Sequence, residues 1–329
     1  MHPALSVVLF TTLAGAAQGL ILALVAAEWA DQRHWLAEAP DAGFLVLGAV
    51  VAVLLGASGL LASFFHLGRP ERAWRAATMW RTSWLSREVI VLPAFLALAA
   101  GYALAHARAH EAAFALGALA AVFALILFLC TGMIYACIRF LAEWATPLTP
   151  INFTLLGCAN GFTLAAALAA LASPTRVRFF AVGAIVFTLL ALLGRAAARR
   201  RNAKLVPKST LQTAIGIKHR HIEQQSQGFM GGSFNTREFF HGRSAGALRL
   251  MRWICLGGAF ALPLALLVAA LVPAQAAVQV AAQVAAPAGA AAALLVTATL
   301  LQYLGLLAER WLFFAEARHP QNLYYQRMA

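Results

Sequence analysis

The sequence predicts an all-α fold, a polytopic bundle of about eight transmembrane helices with one long basic loop, forming a single integral-membrane domain over residues 1–329. Three observations predict it. Of the 329 residues, 62% are hydrophobic and only 11% charged, with a mean hydropathy of +0.76, whereas a soluble domain carries roughly 25% charged residues. The apolar residues gather into runs near the length of about 20 that crosses a bilayer core of about 30 Å. The cations behind the net charge of +13 fall mostly in every second linker between those runs, the asymmetry that a membrane imposes on Lys and Arg.

The runs cover residues 5–27, 43–65, 88–105, 112–137, 151–172, 178–194, 253–274 and 288–308. The first has the small residues of a signal peptide near Ala14–Ala17, but no Lys or Arg precedes it and its apolar run continues beyond them, so it is expected to stay as a helix. Pro93 and Pro263 fall inside the third and seventh runs and are expected to kink them. The sixth is short, and the eighth opens in an Ala/Gly/Pro-rich stretch. The abundance of Ala and Gly fits closely packed apolar helices.

The linkers joining runs 2–3, 4–5 and 6–7, with the C-terminal tail, hold 21 of the 25 Lys and Arg. This places both termini and the 66–87 loop on the cytoplasmic side of the membrane. The longest linker, 195–252, has twelve basic residues and two acids. Its opening, GRAAARRRNAK, reads as a stop signal that adheres to anionic lipid. Its second half interleaves Phe229, Met230, Phe234, Phe239 and Phe240 with glycines, a pattern closer to a docking surface for a protein partner. Nucleic acid is not expected as a partner, since a membrane protein has simpler uses for basic loops.

Composition also narrows the chemistry. Cys130, Cys137, Cys158 and Cys255 lie in or beside apolar runs without CxxC spacing, so the chain is not expected to hold an iron–sulfur cluster of its own. None of the nine histidines lies in the middle of a run, so no intramembrane haem is expected. The runs hold almost no ionisable side chain away from their ends, which gives a proton or ion translocator thin support. It stays as the rival reading from another class.

What remains is a cluster at the membrane boundary, Phe64–Glu88, FFHLGRPERAWRAATMWRTSWLSRE. It holds His66, Glu88 and five arginines, Arg69, Arg72, Arg75, Arg81 and Arg87. A quinone needs an apolar cleft open to lipid, a hydrogen-bond partner at each carbonyl and a proton donor or acceptor near the surface. His66 has the near-neutral pKa for one role, and Glu88 suits the acid/base partner, with an arginine to orient it or keep it ionised. The plain alternatives are an interfacial histidine at a helix end, and a glutamate near a helix N-terminus capped by Ser86. Trp74, Trp80 and Trp84 read as interfacial anchors. The RxxR spacing of Arg69, Arg72 and Arg75 puts them on one helical face. A second group, Tyr135, Arg139, Glu143 and Trp144, shares the same side. It reads either as the opposite wall of the cleft or as a helical Arg139–Glu143 pair.

His66-Leu67-Gly68-Arg69-Pro70, then Arg72-Ala73, then Leu85-Ser86-Arg87-Glu88, resembles the HLG…P…RA…LS.E pattern of the membrane anchor subunits of dimethyl sulfoxide reductase. Polysulfide reductase-type quinone-interacting subunits are more distant relatives. The segments QGFMGGSFNTREFFHGR, IRFLAEWATPLTPINF and ARHPQNLYY look more similar to anchors of cytoplasmic sulfite-oxidising complexes. The resemblance implies an iron–sulfur subunit and a molybdopterin catalytic subunit as partners, with the metal cofactors there. This chain would be the anchor that exchanges electrons with menaquinone or ubiquinone. It further implies that His66 and Glu88 bind the quinone; from the residues themselves, Arg69, Arg72, Arg87 and Arg139 are expected to set the local potential and orient the carboxylates, with Ser86 and Tyr135 completing the site. Sulfite-oxidising anchors would pass electrons into quinone; dimethyl sulfoxide reductase anchors would take them from quinol.

Overall fold

A computed structural model describes residues 3–36, 41–65, 67–206, 209–223, 225–226, 237–279 and 288–324, the side chains of 272–279 and 288 excepted. Among these residues there are helices and connecting turns and no strand. The long helices are α1 (Leu5–Gln32), α2 (Ala42–Phe64), α3 (Trp84–Ala107), α4 (Ala113–Ala136), α5 (Leu148–Ala172) and α6 (Val177–Ala203). A short α7 (Leu211–Ile215) follows, then α8 (Ala245–Leu256), α9 (Leu262–Gln279) and α10 (Ala288–Ala315). A π-helical turn, Gly257–Ala261, joins α8 to α9 into one rod just before Pro263, where the missing proline N–H loosens the ladder. With that rod counted once, eight helices among the described residues are long and apolar enough to cross a membrane. The chain is a multi-pass membrane protein.

Most helices run further than the apolar stretches in the sequence. α3 begins at Trp84, α6 continues to Ala203, α8 begins at Ala245 and α10 continues to Ala315. The linker between the sixth and seventh spans is therefore shorter than 195–252. Hydropathy marks where a helix meets lipid, whereas its backbone continues while partners cover its polar turns.

α1 and α5 form the centre, with α2, α4, α6 and α10 packed around them. Their crossing is made by glycine. A Cβ on Gly19 would run into the backbone of Gly157, and one on Gly161 into the backbone of Gly19 and Leu20. Two small-xxx-small stripes thus bring the backbones into contact, which suits apolar helices that gain nothing from leaving water. Gly305 of α10 meets the backbone of Gly258 and Ala259 in the same way.

The chain alternates direction, so two ends can be distinguished. One end gathers the N-terminal turn of α1, residues 67–83 and 137–147, the linker after α6 and the segment after α10. It carries most of the cations and forms a basic face. At the other end Tyr102 donates a 2.9 Å hydrogen bond to Glu28 Oε2, and His106 Nε2 stands 3.4 Å from Glu28 Oε1. That trio ties α3 to α1.

Candidate functional site

The arginine-rich stretch is a ten-residue 3-10 helix, Pro70–Met79, resting on α3 with no buried residue. A run this long is uncommon, since 3-10 geometry rarely persists beyond three or four residues. With three residues per turn, Arg72 and Arg75 eclipse each other, and Arg69 sits at the N-cap. All three are exposed, and Arg72 has the nearby Glu71 at 3.8 Å. The tryptophans pair with neighbouring guanidinium groups: Arg75 over Trp74 at 5.5 Å, Arg81 over Trp80 at 5.3 Å and Arg87 over Trp84 at 4.2 Å. Arg87 also donates to the carbonyls of Trp80 and Arg81 at 3.0 and 2.8 Å. It therefore ties the end of the 3-10 stretch to the start of α3.

Ser83, not Ser86, caps α3: its Oγ accepts the amide of Ser86 at 3.4 Å. Four residues of helix precede Glu88, so its carboxylate lies beyond the first turn. Ser86 and Glu88 are both buried, Glu88 to 4% exposure. Thr131 of α4 donates a hydrogen bond to Glu88 Oε1. A carboxylate enclosed at a membrane boundary and held by one hydroxyl from the neighbouring helix is costly. His66 lies outside the described residues.

Tyr135, one turn beyond Thr131 on α4, is half-buried among aromatic rings. It stacks on Phe153 at 5.6 Å and meets Trp144, Phe313 and Phe314 edge-on at 5.3–5.5 Å. Trp144 Nε1 donates to the Phe313 carbonyl at 2.9 Å. Arg139 lies past the end of α4 and is exposed. No ion pair joins it to Glu143 among the described residues, because the chain leaves helical geometry after Ala136 and the spacing of four loses its meaning. The structure thus brings Ser86, Glu88 and the α4 face bearing Tyr135 together, and leaves Arg69, Arg72 and Arg139 outside.

A second polar cluster on the same face is not apparent from the sequence. Arg195 of α6 pairs with Glu309 and Glu316 at 3.3 Å each, Glu309 with Arg310 at 2.5 Å, and Glu316 with Arg252 of α8 at 3.2 Å. The Arg310 guanidinium lies 3.8 Å over Phe153. Glu309 is 1% exposed, and signs alternate along the chain of five charges, so each buried charge has an opposite neighbour. A cavity of about 20 Å³ beside it, lined by Thr149, Asn152, Arg195 and Glu309 among others, has room for one water. Glu309 and Glu316, seven apart and so on one helical face, were the available signal; their cationic partners come from helices distant in sequence.

Fold and site together define a multi-pass membrane protein that encloses Glu88 and a chain of paired charges at its basic face and leaves an arginine-rich segment exposed there. The chain belongs to the family of DMSO reductase anchor subunits (DmsC), whose model matches residues 1–314. It is also similar to a sulfite dehydrogenase subunit of Allochromatium vinosum, 49% identical over 343 aligned positions with the whole of both chains covered. No solved structure matches it.

Proposed function

We propose that this chain is the quinone-reactive membrane anchor of a molybdopterin and iron–sulfur complex that oxidises sulfite. The supporting observation is the Glu88 carboxylate, enclosed at the basic face beneath an exposed arginine-bearing segment. The residues fit a lipid-soluble ring. Phe64, Phe65, Leu67, Met79 and Leu85 are exposed on the chain leading into and out of that segment, which offers an apolar approach from the bilayer. A quinone would supply a two-electron, two-proton acceptor. Glu88 would hold or release a proton at its carboxylate, Thr131 would orient it, and His66 would be the second proton-active group. Because Glu88 is covered, access would require the α3–α4 contact at Thr131 to open.

The name of the Allochromatium relative supports sulfite as the donor, with electrons passing through molybdenum and iron–sulfur centres of partner subunits into the quinone. The exposed arginines would then meet the iron–sulfur partner on the cytoplasmic side of the inner membrane, where positive-inside topology places them. In the reverse reading, quinol feeds a reductase of the dimethyl sulfoxide type.

The test is quinone-linked turnover by the assembled complex. His66→Ala and Glu88→Gln are each expected to lower it about 100-fold, the scale of general acid–base catalysis, with membrane assembly unchanged. Turnover that survives both substitutions would make the chain a structural anchor. One observation favours a second reading: the buried charges of α6 and α10 are what an ion or proton pathway needs. Ion uptake by proteoliposomes without a redox partner would support it.

A further inference from the structure

A cleft of about 520 Å³ opens between the N-terminal turn of α1, the outer side of α8 and the C-terminal half of α10. Its size is that of a small-molecule site, about 300–1,000 Å³. Leu5, Val8, Ile254, Leu304, Leu307 and Trp311 make most of its wall. Leu5, Ile254 and Leu304 are 69%, 41% and 57% exposed, so the slot is open toward lipid along its length.

The basic-face end of the slot is polar. His241 and Arg243 stand there, on either side of Gly242, whose φ of 61° turns the chain back on itself. The backbone N–H of Arg243 donates to His241 Nδ1 at 3.0 Å, and the His241 ring lies 6.1 Å from that of Trp311. The backbone of Arg243 is therefore fixed at the rim. Among the described residues no carboxylate lies within ion-pair distance of it. Arg243 thus stands at the end of an apolar slot with no acid partner among the described residues.

We propose that this slot binds one anionic phospholipid, an acyl chain along the wall from Leu304 to Val8 and its phosphate at Arg243. A phosphate supplies the missing anion and takes two hydrogen bonds from a guanidinium. Basic pockets between transmembrane helices suit acidic head groups. A neutral ring would supply no anion. The site lies on α1, α8 and α10, apart from the α3–α4 contact at Glu88.

The test uses the full-length protein, stripped of lipid and reconstituted in phosphatidylcholine nanodiscs. Chain-spin-labelled phosphatidylglycerol or phosphatidylcholine is added, and electron paramagnetic resonance reads the immobilised fraction. The wild type is expected to prefer phosphatidylglycerol. Arg243→Gln is expected to reduce that preference about fivefold, the worth of one basic residue at a lipid surface. Arg249→Gln, an exposed cation of α8 outside the slot, is expected to leave it unchanged. Leu304→Trp, which fills the slot from its exposed wall, is expected to release both labelled lipids. Equal immobilisation of the two lipids by the wild type would overturn the proposal. So would equal losses from Arg243→Gln and Arg249→Gln, the mark of diffuse surface charge. Displacement of the label by a neutral quinone analogue, unaffected by Arg243→Gln, would reassign the slot to a quinone.

Discussion

Thr131 donates a hydrogen bond to the buried Glu88 carboxylate, and this contact fastens α4 to α3 at the basic face. Thr131→Val removes the donor while keeping the shape. It leaves an enclosed acid without a partner, which costs about 1–3 kcal/mol. Denaturant unfolding in detergent should show that loss for Thr131→Val alone and little further loss when it is added to Glu88→Ala. Fully additive losses in the double-mutant cycle would mean the two residues do not interact.

The charge chain Arg252–Glu316–Arg195–Glu309–Arg310 makes a second, asymmetric prediction. Arg195→Met strips the bridging cation from two carboxylates, one of them fully buried. Breaking a buried pair in this way costs about 3–5 kcal/mol. Arg252→Met removes a half-exposed partner of Glu316 and should cost about 1 kcal/mol or less. Thermal unfolding of the two purified variants separates these outcomes; equal shifts would show that burial does not set the strength of the chain.

At the central crossing, Gly161→Leu drives a side chain into the α1 backbone at Gly19, and helix backbones cannot yield as a side-chain tip can. The variant is expected to fail to accumulate in the membrane. Gly68→Ala, where an added Cβ meets nothing within 4 Å, should accumulate as the wild type does. Fluorescence of a C-terminal reporter fusion compares them directly.

His319 follows the last span, and burial holds its pKa below the ordinary histidine value. Its ring packs 4.9 Å from Phe239 and 5.3 Å from Phe140, and its Nδ1 accepts the Gln321 amide at 3.3 Å. The released segment binds the proton more readily than the packed one. Packing is therefore fully stable above the ordinary histidine pKa and weakens as pH falls through it toward the lower packed-state value. Cleavage by trypsin after Arg318 should accelerate over that window, and His319→Gln should flatten the dependence. A cleavage rate that does not change with pH would contradict the placement.

The eight spans were legible because apolar length and alternate-linker cations are properties of single segments. Glu88 was legible for the same reason, being an acid where an apolar run opens. The sequence points to Ser86 as the cap because the edge of the apolar run looks like the edge of the helix, whereas Trp84–Arg87 are helical already. The Arg139–Glu143 spacing suggests a pair only if α4 continues past Ala136, and it does not. The charge chain escaped because Arg195, Arg252 and Glu309 are far apart in sequence and meet only when α6, α8 and α10 pack. Phe239, which reads as part of a partner-docking surface, packs on His319 and accepts a 3.2 Å hydrogen bond from Asn322 at its carbonyl; Phe229, Met230 and Phe234 lie outside the described residues.

The glycine crossing of α1 and α5 also sets a timetable for biogenesis. α1 leaves the ribosome before α5, yet its partner at the crossing, Gly157–Gly161, is made well over a hundred residues later, on the order of ten seconds at ordinary translation speeds. During that interval the first helix must wait in the bilayer with its packing stripe uncovered. Its polar side chains are suited to waiting. Thr11 and Thr12 donate to the carbonyls of Val7 and Val8 at 2.9 Å each, and Gln18 donates to the Ala14 carbonyl at 2.9 Å. These groups donate within their own helix, which lowers the cost for α1 of residing in lipid until the nascent chain delivers α5.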